Sequence, residues 1–304
     1  VLPMFHAYGL TLCLTFAMSI GARLVLFPRF DEELVLAAAR KHPPTFLPAV
    51  PPIYERLAAA AKSRGVGLTS VRFAISGAMS LPVATVNLWE KVTGGLLVEG
   101  YGLTETSPVA LGNPIGSTRR PGTVGVPFPS TEMRVVDPAA PTVDVTPGER
   151  GELLVRGPQV FGGYWNREDE TSAALLDGGW FRTGDIVTVD GDGFVSVVDR
   201  IKELIITGGF NVAPSEVEDA LRRHPSVADA AVVGLPRSDG SEDVAAAVVL
   251  ADEAKLDEAK LRGFCREHLA GYKVPSRIVA VPELPRSLIG KVLRRQVREE
   301  LLAD

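Results

Sequence analysis

The chain has 304 residues, of which 46% are apolar and 23% charged, and its net charge is −5. That length allows two domains and ample core, and the acidic balance gives no reason to expect nucleic acid or an acidic membrane surface as a partner. The two distant cysteines, Cys13 and Cys265, argue against a disulfide framework or a zinc site and fit a reducing, cytoplasmic setting.

Residues 7–22 are nearly all apolar, but Thr11, Thr15 and Ser19 interrupt them and Arg23 ends them. A membrane span wants about 20 apolar residues, so the stretch reads as a buried core helix. No basic segment precedes it as a signal peptide would require. The opening residues Val1-Leu2-Pro3-Met4-Phe5 read like the middle of a fold, so a preceding piece is expected. Residues 23–27 form an apolar run fit for a buried strand. Asp31 then caps a helix carrying Leu34, Leu36, Ala37 and Ala38. Pro51-Pro52 opens a second helix that Gly65 can end. Residues 71–75 predict a strand, 82–92 a helix and 96–98 another strand. Strands alternating with helices predict a parallel, helix-covered sheet over residues 1–120.

From about residue 121 to 200 the signals become short strands and turns, among them residues 132–136 and 152–156. Asp190-Gly191-Asp192-Gly193 predicts a hairpin turn, and Pro138-Ala139-Ala140-Pro141 reads as a loop. An antiparallel β-barrel or sandwich subdomain is expected there. Residues 201–304 predict a small α+β domain. Its helix at Pro214 has Ser215 and Glu218 placed as a capping box. Strands at 230–233 and 244–250, a helix at 256–269, a strand at 277–281 and a helix at 293–302 follow.

Two Gly-rich stretches follow predicted strands: Ser76-Gly77-Ala78 and Glu99 to Thr106, which contains Gly100-Tyr101-Gly102-Leu103-Thr104-Glu105-Thr106. Ligands of parallel sheets bind beyond the carboxyl ends of strands, and glycines there let backbone amides approach a nucleotide. Tyr101 can stack on a base, Thr104 can reach a phosphate, and Glu105 is a hard carboxylate for Mg²⁺. The same residues also fit two tight turns and a packed tyrosine. Asp185, after Gly184, can accept both ribose hydroxyls or simply form a turn. The charged run Asp199-Arg200-Ile201-Lys202 sits at the second boundary, followed by Gly208-Gly209-Phe210. In the loop Leu288-Ile289-Gly290-Lys291, Lys291 is a mobile point charge suited to a phosphate, or an ordinary surface lysine.

These pieces stand in a fixed order, with Leu2-Pro3-Met4-Phe5-His6, the run Trp180 to Asp185, and Tyr272-Lys273-Val274-Pro275 among them. In that order the chain resembles the adenylate-forming superfamily of acyl- and aryl-CoA synthetases, luciferases and peptide-synthetase adenylation domains. The resemblance implies an ATP-dependent carboxylic acid:CoA ligase that works through an acyl-adenylate, with ATP and CoA as co-substrates and Mg²⁺ as the metal. It places Gly77, Ala78, Tyr101 and Gly102 at the nucleotide, Thr104 on the α-phosphate and Glu105 on Mg²⁺. Asp185 and Arg200 would bind ribose, and Lys291 would stabilise charge as the carboxylate attacks. Lys202 matches the hinge of a mobile second domain, and Gly208, Gly209 and Phe210 would line the CoA site. His6 would guard the acyl pocket, or serve as a core histidine.

Peptide-synthetase domains carry an acidic residue near the place of His6 to pair a substrate amine. Its absence favours an acid without an α-amino group. The small residues Gly77 and Gly100, with Leu103, lean towards a medium- or long-chain fatty acid over an aryl acid. The family's phosphate loop is expected upstream of Pro3. Gly116-Ser117-Thr118-Arg119-Arg120-Pro121-Gly122 has its composition but not its place or spacing. Two alternatives stay open: a fatty acyl-AMP ligase that loads a carrier protein, and a piece that only binds nucleotide or a partner. Peripheral membrane association and oligomeric state also stay open.

Overall fold

The computed structural model describes residues 1–238, 240–287 and 290–303. The chain divides into two compact units: Val1–Thr183 with Val187–Val197, and Gly184–Ile186 with Val198–Asp304.

The first unit opens on a π-helical segment, Gly9–Thr15, that continues as α1 (Phe16–Ser19). The expected helix therefore exists, but it is not buried. Cys13 is covered, whereas Phe16, Met18 and Ile20 are exposed. A helix that is apolar all round signals burial only if something covers each face, and among the described residues the outer face has no cover. The strand expected at residues 23–27 does not form, because an extended segment becomes a strand only with a hydrogen-bonding neighbour, and this one has none in the sheet order.

Asp31 does cap α2 (Glu32–Lys41), accepting the Leu34 N–H at 3.0 Å. Next come β1 (Phe46–Ala49), α3 (Pro51–Arg64), β2 (Phe73–Ser76), α4 (Val83–Thr93) and β3 (Leu96–Gly102). The helix α3 ends where Gly65 adopts the left-handed conformation, φ 61°. Strand β1 escaped the sequence reading because Pro48 argues against a strand; it is tolerated because β1 is an edge. β1, β2 and β3 run parallel. β4 (Val109–Gly112) and β5 (Val126–Pro127) extend the sheet antiparallel. One face buries Ala49, Ala74 and Leu97 with Leu36, Tyr54, Leu57 and Trp89 of the helices.

The β-rich region contains β6 (Glu132–Asp137), β7 (Ala140–Asp144), β8 (Gly151–Arg156), α5 (Glu168–Ala174), β9 (Leu175–Leu176), β10 (Trp180–Val189) and β11 (Val195–Arg200). Its strand order is β11-β10-β8-β6-β7, with β9 on β10. This corrects the barrel expectation: among the described residues no pairing joins β7 to β11, so the sheet is open. Alternating polarity reports one buried face, not closure. Residues 138–141 are not simply a loop, since Ala140 and Pro141 already belong to β7. The hairpin at 190–193 forms, with Asp190 accepting the Phe194 N–H at 3.0 Å.

Beyond β11 the second unit contains the hairpin β12 (Ile205–Thr207) and β13 (Phe210–Val212), followed by α6 (Pro214–Arg222), β14 (Val227–Pro236), β15 (Glu242–Leu250), α7 (Glu258–His268), β16 (Arg277–Ala280) and α8 (Arg294–Ala303). β15 is central, antiparallel to β14 and parallel to β16. Strand alternation sends Val232, Ala246 and Val248 towards Val217, Leu221 and Leu261 of α6 and α7. Val233, Ala245 and Ala247 face Val297 and Leu301 of α8. The capping box predicted for α6 does not form. Ser215 Oγ donates to the Val198 carbonyl, and Glu218 accepts the Val232 N–H. Among the described residues no helix is long and apolar enough to cross a membrane.

Candidate active site

In the first unit the named residues collect at the carboxyl ends of β2 and β3, where parallel sheets take their ligands. The register sets Ser76 beside Glu99, and Gly77 follows directly. A Cβ on Gly77 would meet the Tyr8 ring at 3.4 Å and the Gly100 carbonyl at 3.6 Å. Ala78 is held at φ 66°, a left-handed conformation costing about 1–2 kcal/mol for a residue with a side chain. His6 is half-buried, and its Nδ1 accepts the Tyr8 N–H at 3.2 Å. The Tyr8 hydroxyl in turn donates to the Ile75 carbonyl at 2.7 Å, one residue before Ser76.

Tyr101 is half-buried against the cluster containing Ala110 and Leu111. A Cβ on Gly102 would fall 1.6 Å from the Pro108 carbonyl oxygen, so only glycine lets the chain fold back as β4. Between them lies a 3₁₀ turn, Thr104–Thr106. Thr106 Oγ1 donates to the Pro108 carbonyl at 2.7 Å and accepts the Leu103 N–H at 2.9 Å, fastening the turn. This leaves Thr104 exposed and Glu105 half-buried.

The Glu105 carboxylate accepts the Tyr164 hydroxyl at 2.9 Å, and its backbone carbonyl accepts the Phe161 N–H at 2.8 Å. Partial burial, then the Glu105 hydrogen bond, push the Tyr164 phenol up to about 12, so it remains a donor at neutral pH. An exposed hydroxyl beside one hard carboxylate fits Mg²⁺, which commonly takes one or two carboxylates and completes its shell with phosphate and water. No cluster of three metal-ligating side chains exists among the described residues.

In the second unit Asp185 is nearly fully buried, and its Oδ1 accepts Arg200 Nε at 3.0 Å. Asp199 fixes the neighbouring backbone by accepting the N–H groups of Arg200 and Ser215 at 2.8 and 2.9 Å. Lys202 is exposed in the short turn Ile201–Glu203. Gly208 and Gly209, at φ 54° and 80°, form the two-residue connection between β12 and β13. Exposed Phe210 stacks on Tyr272 with centroids 4.5 Å apart.

Of the predicted lysine loop, Leu288 and Ile289 lie outside the described residues. Gly290 has φ 84°, and Lys291 exchanges backbone and hydroxyl hydrogen bonds with Ser287. Lys291 Nζ stands 3.8 Å from Glu203. The other Glu203 oxygen is held by Arg294, which also grips Glu218. Burial lowers the Lys291 ammonium below its ordinary value, helped by the positive charge of Arg200 and opposed by Glu203. A surface hollow lined by His224, Ser226 and Asp257 contains none of the predicted residues.

Tyr164, Glu203 and Arg294 do not stand out in the sequence, and Glu99 stands there only as the first residue of a Gly-rich stretch, with no role of its own. A carboxylate ending the apolar run Leu96-Leu97-Val98 was a readable signal for Glu99. Nothing local ties Tyr164 to Glu105, 59 residues earlier.

Residues 1–165 match the AMP-binding enzyme family, and residues 216–291 match the AMP-binding enzyme C-terminal domain. The chain belongs to the AMP-binding enzyme family. It is 43% identical over 300 residues to the long-chain-fatty-acid–CoA ligase of Bacillus subtilis (strain 168), covering 99% of this chain and 53% of that protein. It is 38% identical over 297 residues to the feruloyl-CoA synthase of an Amycolatopsis species, covering 97% of this chain and 60% of that one. The crystal structure of ATP-bound MatB from Rhodopseudomonas palustris superposes with a TM-score of 0.90 at 34% identity, over 99% of this chain and 59% of its own. The chain thus spans about half the length of the curated fatty-acid ligases it matches.

Proposed function

We propose that the protein is an AMP-forming carboxylic acid:CoA ligase acting on a medium- or long-chain fatty acid. The observation that carries this reading is the Thr104–Thr106 turn, with its Glu105 carboxylate oriented by Tyr164, in a chain whose two parts match the two family regions in order. The likeness to the Bacillus fatty-acid ligase supports the substrate class.

Gly77, Ala78, Tyr101 and Gly102 receive the nucleotide, and Asp185 and Arg200 hold its ribose. A carboxylate oxygen of the acid attacks the α-phosphorus, and the bond to pyrophosphate breaks. Thr104 and the Lys291 ammonium stabilise the charge that builds on the α-phosphate. Glu105 would hold Mg²⁺, which would supply neutralisation of phosphate charge. In the second half-reaction the CoA thiol sulfur attacks the acyl carbon and AMP leaves. Residues 201–304 turn about Lys202 between the two steps, presenting Gly208, Gly209 and Phe210 to the pantetheine arm. His6 closes the acyl pocket.

The test uses the protein as its gene encodes it, with AMP release followed by chromatography. AMP formation that requires ATP, a fatty acid and CoA together is the expected result. AMP formation indifferent to CoA overturns the CoA-ligase reading and points to a carrier-protein acceptor. No turnover with any fatty or aryl acid overturns the enzymatic reading itself.

A further inference from the structure

Glu99 has no role in the reaction scheme above, yet it occupies the carboxyl end of β3 at only 7% exposure. It shares a sheet face with Leu97, whose neighbours are the apolar residues of α3 and α4. A side chain that only had to fill that place would be apolar, like Leu97. A buried carboxyl without a partner is destabilising, so its presence asks for a job.

The partner is Leu81: its backbone N–H donates to Glu99 Oε1 at 3.2 Å. Leu81 closes the turn that begins with Gly77 and Ala78, the turn strained at Ala78 and packed against Tyr8 and Gly100. Ser76, the register partner of Glu99, is fully buried, and its hydroxyl has no hydrogen-bond partner among the described residues. The sheet end between β2 and β3 is therefore a polar spot inside a core, facing the turn.

We propose that Glu99 is a positioning residue of the nucleotide site, latching the Gly77–Ala78 turn to the end of β3 through the Leu81 amide. The proposal rests on the reading of that turn as part of the nucleotide site. Burial holds the carboxyl in its protonated form, up to about 8, so the latch works as a hydrogen-bond acceptor and not as a charge. A neutral amide in its place should therefore serve as well.

The experiment compares Glu99→Gln, which keeps an acceptor oxygen, with Glu99→Met, which fills similar space without one. AMP affinity is measured by calorimetry, and amide exchange is followed over residues 77–81. Glu99→Met is expected to weaken AMP about ten-fold and raise the KM for ATP in parallel, to change kcat less than about three-fold, and to speed Leu81 exchange. Glu99→Gln is expected to stay within about three-fold of wild type in both readings. Wild-type AMP affinity in Glu99→Met overturns the proposal, as does a folded Glu99→Gln with lost affinity and a still-protected Leu81 amide. Should Glu99→Met fail to fold, Glu99→Gln alone decides. Absence of AMP and ATP binding by the wild-type protein refutes the nucleotide reading instead, while Leu81 exchange still reports whether the latch exists.

Discussion

The two units hold their candidate residues by different physics. In the first, position is a matter of backbone shape: Gly102 fits because no Cβ stands at 1.6 Å from the Pro108 carbonyl, Ala78 sits at positive φ, and Thr106 pins the turn. In the second, position is a matter of charge: Asp185 pairs with Arg200, and Glu203 stands between Lys291 and Arg294. Substitution at Gly102 should therefore act on stability, and substitution at Lys291 on chemistry.

The sharpest test of the second half is Lys291→Ala. If its ammonium meets charge that develops only as the carboxylate attacks, adenylation should fall by about 10²–10³-fold. The melting temperature should stay nearly unchanged, because Lys291 is partly exposed and its ion pair with Glu203 is long at 3.8 Å. Equal loss of rate and stability would break the contrast. Its counterpart in the first unit is Gly102→Ala. The added methyl would overlap backbone, so the strand pair β3–β4 must shift, at about 3 kcal/mol or more by denaturant unfolding. A variant as stable as wild type would show that this turn is not held by shape.

The sequence made the first unit's shape legible where local chemistry sets it. Asp31 before an apolar period and Gly65 after one gave real helix ends, and Gly77 and Ala78 do follow a strand, whereas Gly100, Tyr101 and Gly102 belong to β3 itself. It failed where the outcome depends on partners far away. Residues 23–27 have the composition of a strand but no neighbour to pair with, and Pro48 hid a strand that an edge position tolerates. Ser215 and Glu218 have capping-box spacing, yet Val198 and Val232 outcompete the helix end for them. Arg294, at the start of α8, meets Glu203 from 91 residues away, which no spacing rule could reveal.

Glu99 gives the comparison a pH axis. The folded chain keeps its proton up to about 8, whereas an unfolded chain releases it near the ordinary 4.5. Between those values the native state binds the extra proton, so stability falls as pH rises, by at most about 1.4 kcal/mol per unit from this group. Glu99→Gln removes that slope. The stability difference between variant and wild type should therefore grow from pH 5 to 8 and then level off, reaching the order of a few kcal/mol. A difference that stays flat in denaturant titrations across that range would mean that the carboxyl is already ionised in the fold.

The smallest expected effect sits where the two kinds of control meet in one residue. Tyr164 orients the Glu105 carboxylate through a single hydrogen bond of 2.9 Å, a positional device acting on a charged group. Tyr164→Phe deletes only the hydroxyl and leaves the ring on Phe161, 4.8 Å between centroids. The carboxylate then loses one donor worth roughly 0.5–1.5 kcal/mol, though it is half-exposed and water can replace part of it. If the bond serves to aim Glu105 at Mg²⁺, the Mg²⁺ concentration for half-maximal adenylation should rise about 2–10-fold while stability changes little. A melting temperature that drops with unchanged Mg²⁺ dependence would instead make Tyr164 a packing residue. The Glu105 turn would then be held, like Gly102, by shape alone.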